Sequence, residues 1–148
     1  MLCHPSIAAR HNGKTLSEFI AANELVHVRI SDLPRHHLWM QFAKVAGLHS
    51  LNVERGLVFD TAVLAVQYVL SGEGIALVDG YLFGDYIRTG QLVQPFDNVL
   101  DDGFGYYLTT HPDALSDTAI ALFRSWLIER FGTASGAASA IHLAVSNE

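Results

Sequence analysis

The sequence holds eight histidines and one cysteine, the residue types best suited to metal binding or nucleophilic chemistry, so their spacing is the first question. A zinc site needs ligands at helical or knuckle spacing, as in HExxH or paired Cys-x-x-Cys. His36-His37 and the isolated His4, His11, His27, His49, His111 and His142 reproduce neither; they are expected to be structural or surface residues, with no metal bound. Cys3 is followed by His4, but neighbouring strand residues point to opposite faces, so the imidazole cannot readily take the thiol proton. A buried, unreactive thiol is expected. Ser6, Ser17, Ser31, Ser50 and Ser71 lack a Gly-x-Ser-x-Gly elbow. Gly13-Lys14-Thr15 resembles the end of a phosphate loop, yet Ala8 stands where the first glycine is required. Gly72-Glu73-Gly74 lacks the third glycine of the dinucleotide fingerprint, with Leu77 in its place, and it precedes a strand instead of following one. A helix stop accounts for it better. With no nucleophile–base pair or cofactor loop, neither an enzyme nor a cofactor is expected.

The elements that must position any site follow from periodicity. Apolar runs alternate with helical patterns, the signature of an α/β layer structure. Thr15-Leu16-Ser17-Glu18 fits a capping box and starts a helix. Leu25 to Ile30 alternates as a half-buried strand should. Leu38, Trp39, Phe42, Val45 and Ala46 fall at helical spacing, and Gly47 supplies a left-handed stop. Gly56 to Phe59 reads as a strand running into a helix over Thr61–Leu70, with Asp60 or Thr61 as its N-cap. That helix is apolar around its circumference and should be largely covered. Ile75 to Val78 is an uninterrupted apolar run, expected to be a strand buried on both faces. A short helix should span Tyr81 to Arg88. Leu92 to Pro95 and Phe104 to Thr109 are further strand candidates. Ser116 is the expected cap of a closing helix with Ala119, Leu122, Phe123, Trp126 and Leu127 on one apolar face. Trp39 and Trp126 are assigned to packing.

Composition narrows the partners. The 148 residues are 50% hydrophobic and carry nine Lys+Arg against fifteen Asp+Glu, a formal charge of −6. That is enough apolar surface for one ordinary core, and the wrong sign for autonomous nucleic-acid binding, which needs a basic face. A single cysteine forms no intrachain disulfide, no apolar stretch reaches membrane-spanning length, and the first residues lack the pattern of a signal peptide. A cytoplasmic protein is expected, without membrane contact. From Gly132 to Ala140 the chain is small and polar, so 1–131 is read as the domain and 132–148 as a flexible tail.

Taken in order, Cys3-His4-Pro5, the Trp39–Gly47 helix, Phe59-Asp60-Thr61, Gly72-Glu73-Gly74-Ile75-Ala76-Leu77-Val78, Gly90-Gln91-Leu92-Val93-Gln94-Pro95-Phe96, Tyr106-Tyr107-Leu108 and Phe123-Arg124-Ser125-Trp126-Leu127 resemble the effector-binding domain of LysR-type transcriptional regulators. The resemblance covers residues 1 to 131 and is to the branch of the glycine-cleavage activator and the β-lactamase regulators. It implies a type 2 periplasmic-binding-protein-like α/β fold: mainly the second effector-binding subdomain, a mixed sheet flanked by helices, followed by a crossover helix. It further implies that DNA is read only through an N-terminal helix-turn-helix that this sequence does not include, and that the chain pairs as a homodimer.

The same resemblance implies a ligand site. Thr61 and Ala62 match positions lining the effector cleft, although many relatives carry a hydroxyl where Ala62 stands. Free N–H groups at the start of the helix after Asp60, next to a strand end, suit a carboxylate, and Asp60 suits an ammonium group or simply caps the helix. Val78 and Asp79 follow a buried strand where open α/β sheets bind ligands, with capping of the next helix the other role open to Asp79. Tyr106 matches an aromatic position at the cleft edge, with core packing as its alternative. The expected ligand is an amino acid or small carboxylate, sensed without catalysis by a shift between domain arrangements. Two other classes remain: a self-pairing interaction module, and a small enzyme on the same fold that only scattered residues such as Thr61 and Asp79 support.

Overall fold

Alternation along three short strands sets the layers. In the computed structural model, which describes residues 1–103, 106 and 108–131, Leu2 and Cys3, Leu25 and Val26, and Ile75 and Ala76 each send one side chain to either side of a sheet, as the two-residue period of a strand requires. The chain divides into two units, Met1–Leu100 and Asp101–Glu148.

The first unit runs β1 (Leu2–Cys3), α1 (Pro5–Arg10), α2 (Leu16–Ala22), β2 (Leu25–Val28), α3 (His37–Val45), β3 (Leu57–Phe59), α4 (Ala62–Leu70), β4 (Ile75–Ala76) and α5 (Gly84–Arg88). Its four-stranded sheet has the order β1-β4-β2-β3. β3 and β4 both lie parallel to β2, while β1 is antiparallel to β4. The sheet is therefore mixed, with helices on both faces. Cys3, Leu25 and Ile75 pack with Ile7, Phe19, Ile20, Trp39 and Phe42 from α1, α2 and α3. Leu2, Val26 and Ala76 pack with Ala65, Val66 and Val69 of α4 and with Phe83 and Leu92.

Local chemistry explains the helix ends. Thr15 and Glu18 exchange the reciprocal bonds of a capping box at the start of α2. His4 caps α1, its Nδ1 accepting from the Ser6 N–H at 3.2 Å. Gly47 follows α3 with φ +71. At the end of α2, the Arg55 guanidinium donates to the carbonyls of Asn23 (2.7 Å), Ile20 (2.6 Å) and Ala21 (3.0 Å), which satisfies carbonyls the helix leaves open. Trp39 is buried and its indole N–H donates to the Val26 carbonyl at 3.0 Å, pinning α3 to the central strand.

Several expectations need correction. α4 is covered on one side only: Ala65, Val66 and Val69 are buried against β2, β3 and β4, whereas Val63 is 55% and Leu64 53% exposed on the side turned from the sheet. The strand expected at Ile75–Val78 pairs only over Ile75–Ala76, with Leu2–Cys3 on one side and Leu25–Val26 on the other. The helix expected from Tyr81 begins as turns, with helix only over Gly84–Arg88. Leu92–Pro95 contributes a single bridge, Val93 to Cys3.

The second unit contains a 3-10 helix, Pro112–Ser116, and α6, Thr118–Phe131. The cap of α6 is Asp117, whose Oδ1 accepts from the Ala119 N–H at 2.8 Å, and not Ser116, which closes the 3-10 turn by donating to the Asp113 carbonyl. Trp126 is 51% exposed and stacks on Phe123 at 5.9 Å, so it is not a core residue of the described structure. Of the expected strand at Phe104–Thr109, Tyr106, Leu108 and Thr109 are not strand, and Phe104, Gly105 and Tyr107 lie outside the described residues, as do 132–148 and with them His142. No helix among the described residues is long and apolar enough to cross a membrane.

Candidate functional site

Parallel pairing fixes what can meet. Because β2, β3 and β4 run in one direction, their carboxyl ends lie on one edge of the sheet, where ligands of open α/β sheets collect. The edge carries Val28-Arg29 after β2, Asp60-Thr61 after β3 and Val78-Asp79 after β4. β2 lies between the other two. With about 5 Å between neighbouring strands, the β3 and β4 ends are roughly 10 Å apart, a span that suits a ligand the size of an amino acid.

At the β3 end, Thr61 is the N-cap of α4. Its Oγ1 accepts from the Leu64 N–H at 3.4 Å, a long bond, and its carbonyl from Ala65 at 3.2 Å. The N–H groups of Ala62 and Val63 have no acceptor among the described residues, as a helix start leaves them. Thr61 and Val63 are exposed, and Ala62 is half-buried against the second core cluster. The helix tip is thus open and carries the positive end of the helix dipole.

Asp60 is not the cap of α4, a place Thr61 takes. Its Oδ1 lies 3.0 Å from Nε of Arg29, with both side chains largely exposed, and the Arg29 N–H donates to the Phe59 carbonyl at 2.9 Å, which holds the two residues side by side. Arg29 escaped the sequence reading. The signal that could have found it is its place one residue beyond the β2 strand, the equivalent of Asp60 beyond β3.

At the β4 end, Val78 is half-buried against the second core cluster. Asp79 accepts the Tyr81 N–H on Oδ1 at 2.7 Å, and its carbonyl accepts from Phe83 at 3.3 Å. Of the two roles open to Asp79, capping of the following turns is therefore realised, and Oδ2 remains available at the edge. Asp60, Thr61, Ala62, Val78 and Asp79 thus share one edge of the first unit. Tyr106 belongs to the second unit and is 47% exposed.

The remaining reactive groups are elsewhere. Cys3 is fully buried, and burial pushes its thiol up to about 11, a poor nucleophile. Ser6 and His4 are paired, Oγ to Nδ1 at 2.8 Å, within the α1 cap. Among the described residues no group of three His, Cys, Asp or Glu side chains could hold a metal ion.

Comparison with known proteins agrees with this architecture. Residues 2–132 match the LysR substrate binding domain family. The chain is 28% identical over 129 residues to the glycine cleavage system transcriptional activator of Escherichia coli K12, covering 87% of this chain and 41% of that protein. It is 34% identical over 115 residues to the HTH-type transcriptional activator AmpR of Providencia stuartii, covering 72% of this chain and 38% of that one. It thus spans about two fifths of the length of these relatives, which are transcriptional regulators. Among solved structures, the effector domain of AmpR of Pseudomonas aeruginosa superimposes with a TM-score of 0.57 at 22% identity, covering 86% of this chain and 58% of that one. The AmpR effector binding domain of Citrobacter freundii gives 0.56 at 18%, covering 87% and 60%. These likenesses show the fold, which is that of the periplasmic-binding-protein-like type 2 effector domains. The chain belongs to the LysR substrate-binding domain family.

Proposed function

We propose that the edge formed by Arg29, Asp60, Thr61, Ala62, Val78 and Asp79 binds a small zwitterionic or carboxylate effector, an amino acid or similar metabolite, and changes nothing in it covalently. The observation that carries this reading is the open start of α4, two undonated N–H groups beside the carboxyl ends of parallel strands. Those donors and Arg29 suit a carboxylate, while Asp60 and the free oxygen of Asp79 suit an ammonium group. Residues 1–131 act as the domain and 132–148 as an appended tail.

A bound ligand stabilises the arrangement that it binds more tightly and shifts its population. In a regulator built on this module, that shift reaches DNA through a helix-turn-helix outside these residues, in the cytoplasm. The module works as a homodimer: among the described residues the outer edge of β3 has no strand neighbour, and Leu57, Val63 and Leu64 are exposed, a surface that a second copy covers by two-fold pairing. Sedimentation over a concentration series tests this, and a strict monomer at high concentration rejects it.

The ligand test is a titration with glycine, other amino acids and small carboxylates, followed by amide chemical shifts and thermal stability. The reading expects saturable shifts at Ala62 and Val63, weakened by Arg29→Gln. If the amides at the α4 tip stay unmoved by every compound, in this chain and in one extended to the full length of its relatives, the site assignment fails.

A further inference from the structure

We propose that His27 is an acid-sensitive latch, a ring that ties β2 to the segment leading into β3 while it is neutral and lets go when it takes up a second proton. His27 is 2% exposed and stands on the same sheet face as Leu25, opposite Val58 in the register with β3. Its Nε2 lies 2.7 Å from the Arg55 carbonyl. A carbonyl only accepts, so Nε2 carries the hydrogen and Nδ1 is left as a lone pair. Nδ1 is buried with no hydrogen-bond partner. The neutral ring fits this socket with one bond made and one acceptor idle, whereas the imidazolium would bury a charge whose second donor finds only the poorly placed Arg35 carbonyl.

The surroundings reinforce the preference. Arg35 and His36, on the segment before α3, are the ionisable groups that act on the ring, and both repel a positive charge. The segment before β3 contributes the Arg55 carbonyl; the Arg55 guanidinium is turned to the α2 carbonyls, and Glu54 offers Arg35 its own backbone carbonyl. β3 contributes apolar Val58. The carbonyls of Arg55 and Arg35 favour the charged ring, but burial outweighs them and holds His27 below its ordinary value.

What the latch holds is a junction. Arg55 closes the end of α2 through its guanidinium, is held by His27 through its carbonyl, and is followed by Gly56, where a Cβ would stand 1.9 Å from the Leu25 carbonyl oxygen of β2. β3 leaves this junction as an edge strand with one neighbour. When the charged ring swings out to water, the Arg55 stretch and β3 lose their tie first.

The sign follows from linkage. A histidine depressed in the folded state binds its proton more readily in the unfolded chain, so stability is whole above 6.5, the ordinary value, and falls as the pH drops below it. The loss reaches up to about tenfold in the folded-to-unfolded ratio per pH unit until the folded-state value is passed.

The test compares this chain with His27→Gln, which keeps an amide donor and does not titrate, by denaturant unfolding at pH 7.5, 6.5 and 5.5. The native chain should lose up to about tenfold more of its folded-to-unfolded ratio than the variant between pH 6.5 and 5.5; equal losses overturn the proposal. Hydrogen exchange at pH 5.5 should be faster at Leu57–Phe59 in the native chain than in the variant, and equal rates there overturn the local release. Should the variant not fold, imidazole resonances of the native protein decide. A His27 ring that stays neutral in the Nε2–H form from pH 7.5 to 6 supports the latch, and one that titrates at 6.5 or above, or carries its hydrogen on Nδ1, overturns it.

Discussion

Replacing Gly56 with alanine should damage the fold far more than the loss of one hydrogen atom suggests. Gly56 has φ +110, and a Cβ there would stand 1.9 Å from the Leu25 carbonyl oxygen and 2.8 Å from its carbon. Both belong to backbone in the middle of the sheet, where β2 is paired on either side, so relief requires moving a strand. Backbone strain at such a φ is worth about 1–3 kcal/mol. The stiffer unfolded chain returns about 0.4–1 kcal/mol, and the clash adds to the strain. A net loss above about 3 kcal/mol is expected, more than about a hundredfold in the folded-to-unfolded ratio and a large part of a typical domain's stability. Gly47 is the control: φ +71 with nothing within 4 Å of a Cβ, so Gly47→Ala should cost about 1 kcal/mol or less. Urea denaturation of both variants measures the difference. If Gly56→Ala costs no more than Gly47→Ala, the close approach of the two backbones is not what requires glycine, and the reasoning about this junction is wrong.

Cys3 should resist alkylation at pH 8 in the folded protein and react once the chain is unfolded. Because burial holds its thiol at about 11, above the ordinary value of 9.0, stability should fall as the pH rises through that window, and Cys3→Ala should reduce the slope. Trp39→Phe removes a buried donor to the Val26 carbonyl, a hydrogen bond worth about 0.5–1.5 kcal/mol in denaturant unfolding. Asp60→Asn breaks a largely exposed pair with Arg29 and should change stability by less than about 1 kcal/mol while altering effector affinity, a split that calorimetric titration beside thermal melts reads directly. Tyr68 donates to Glu24 at 2.6 Å, which pushes its phenol up to about 12; Glu24→Gln should lower the midpoint of its ultraviolet titration.

Local rules made much of the first unit legible. Thr15 and Glu18 marked a helix start because a capping box is satisfied within four consecutive residues. Gly47 marked a helix end, and the Leu25 strand showed its alternation. The reading failed where a residue's role depended on distant chain. Ser116 and Asp117 are both good caps, and only the 3-10 turn over Pro112–Ser116 moved the start of α6 to the second. The covering expected all around α4 presumed a second layer outside the helix, and packing on the sheet alone leaves Val63 and Leu64 uncovered.

By itself the sequence determined the α/β layering and the family, since helix signals, strand periodicity and the order of motifs are all written along the chain. Only tertiary structure decided that β4 lies against β2 and not β3, that Asp60 faces Arg29 in place of capping α4, and that His27 alone of the described histidines is fully enclosed. The reason is physical: caps and turns are closed by residues a few positions apart, whereas strand order, ion pairing and burial come from bringing remote segments together around shared cores, which no local pattern specifies.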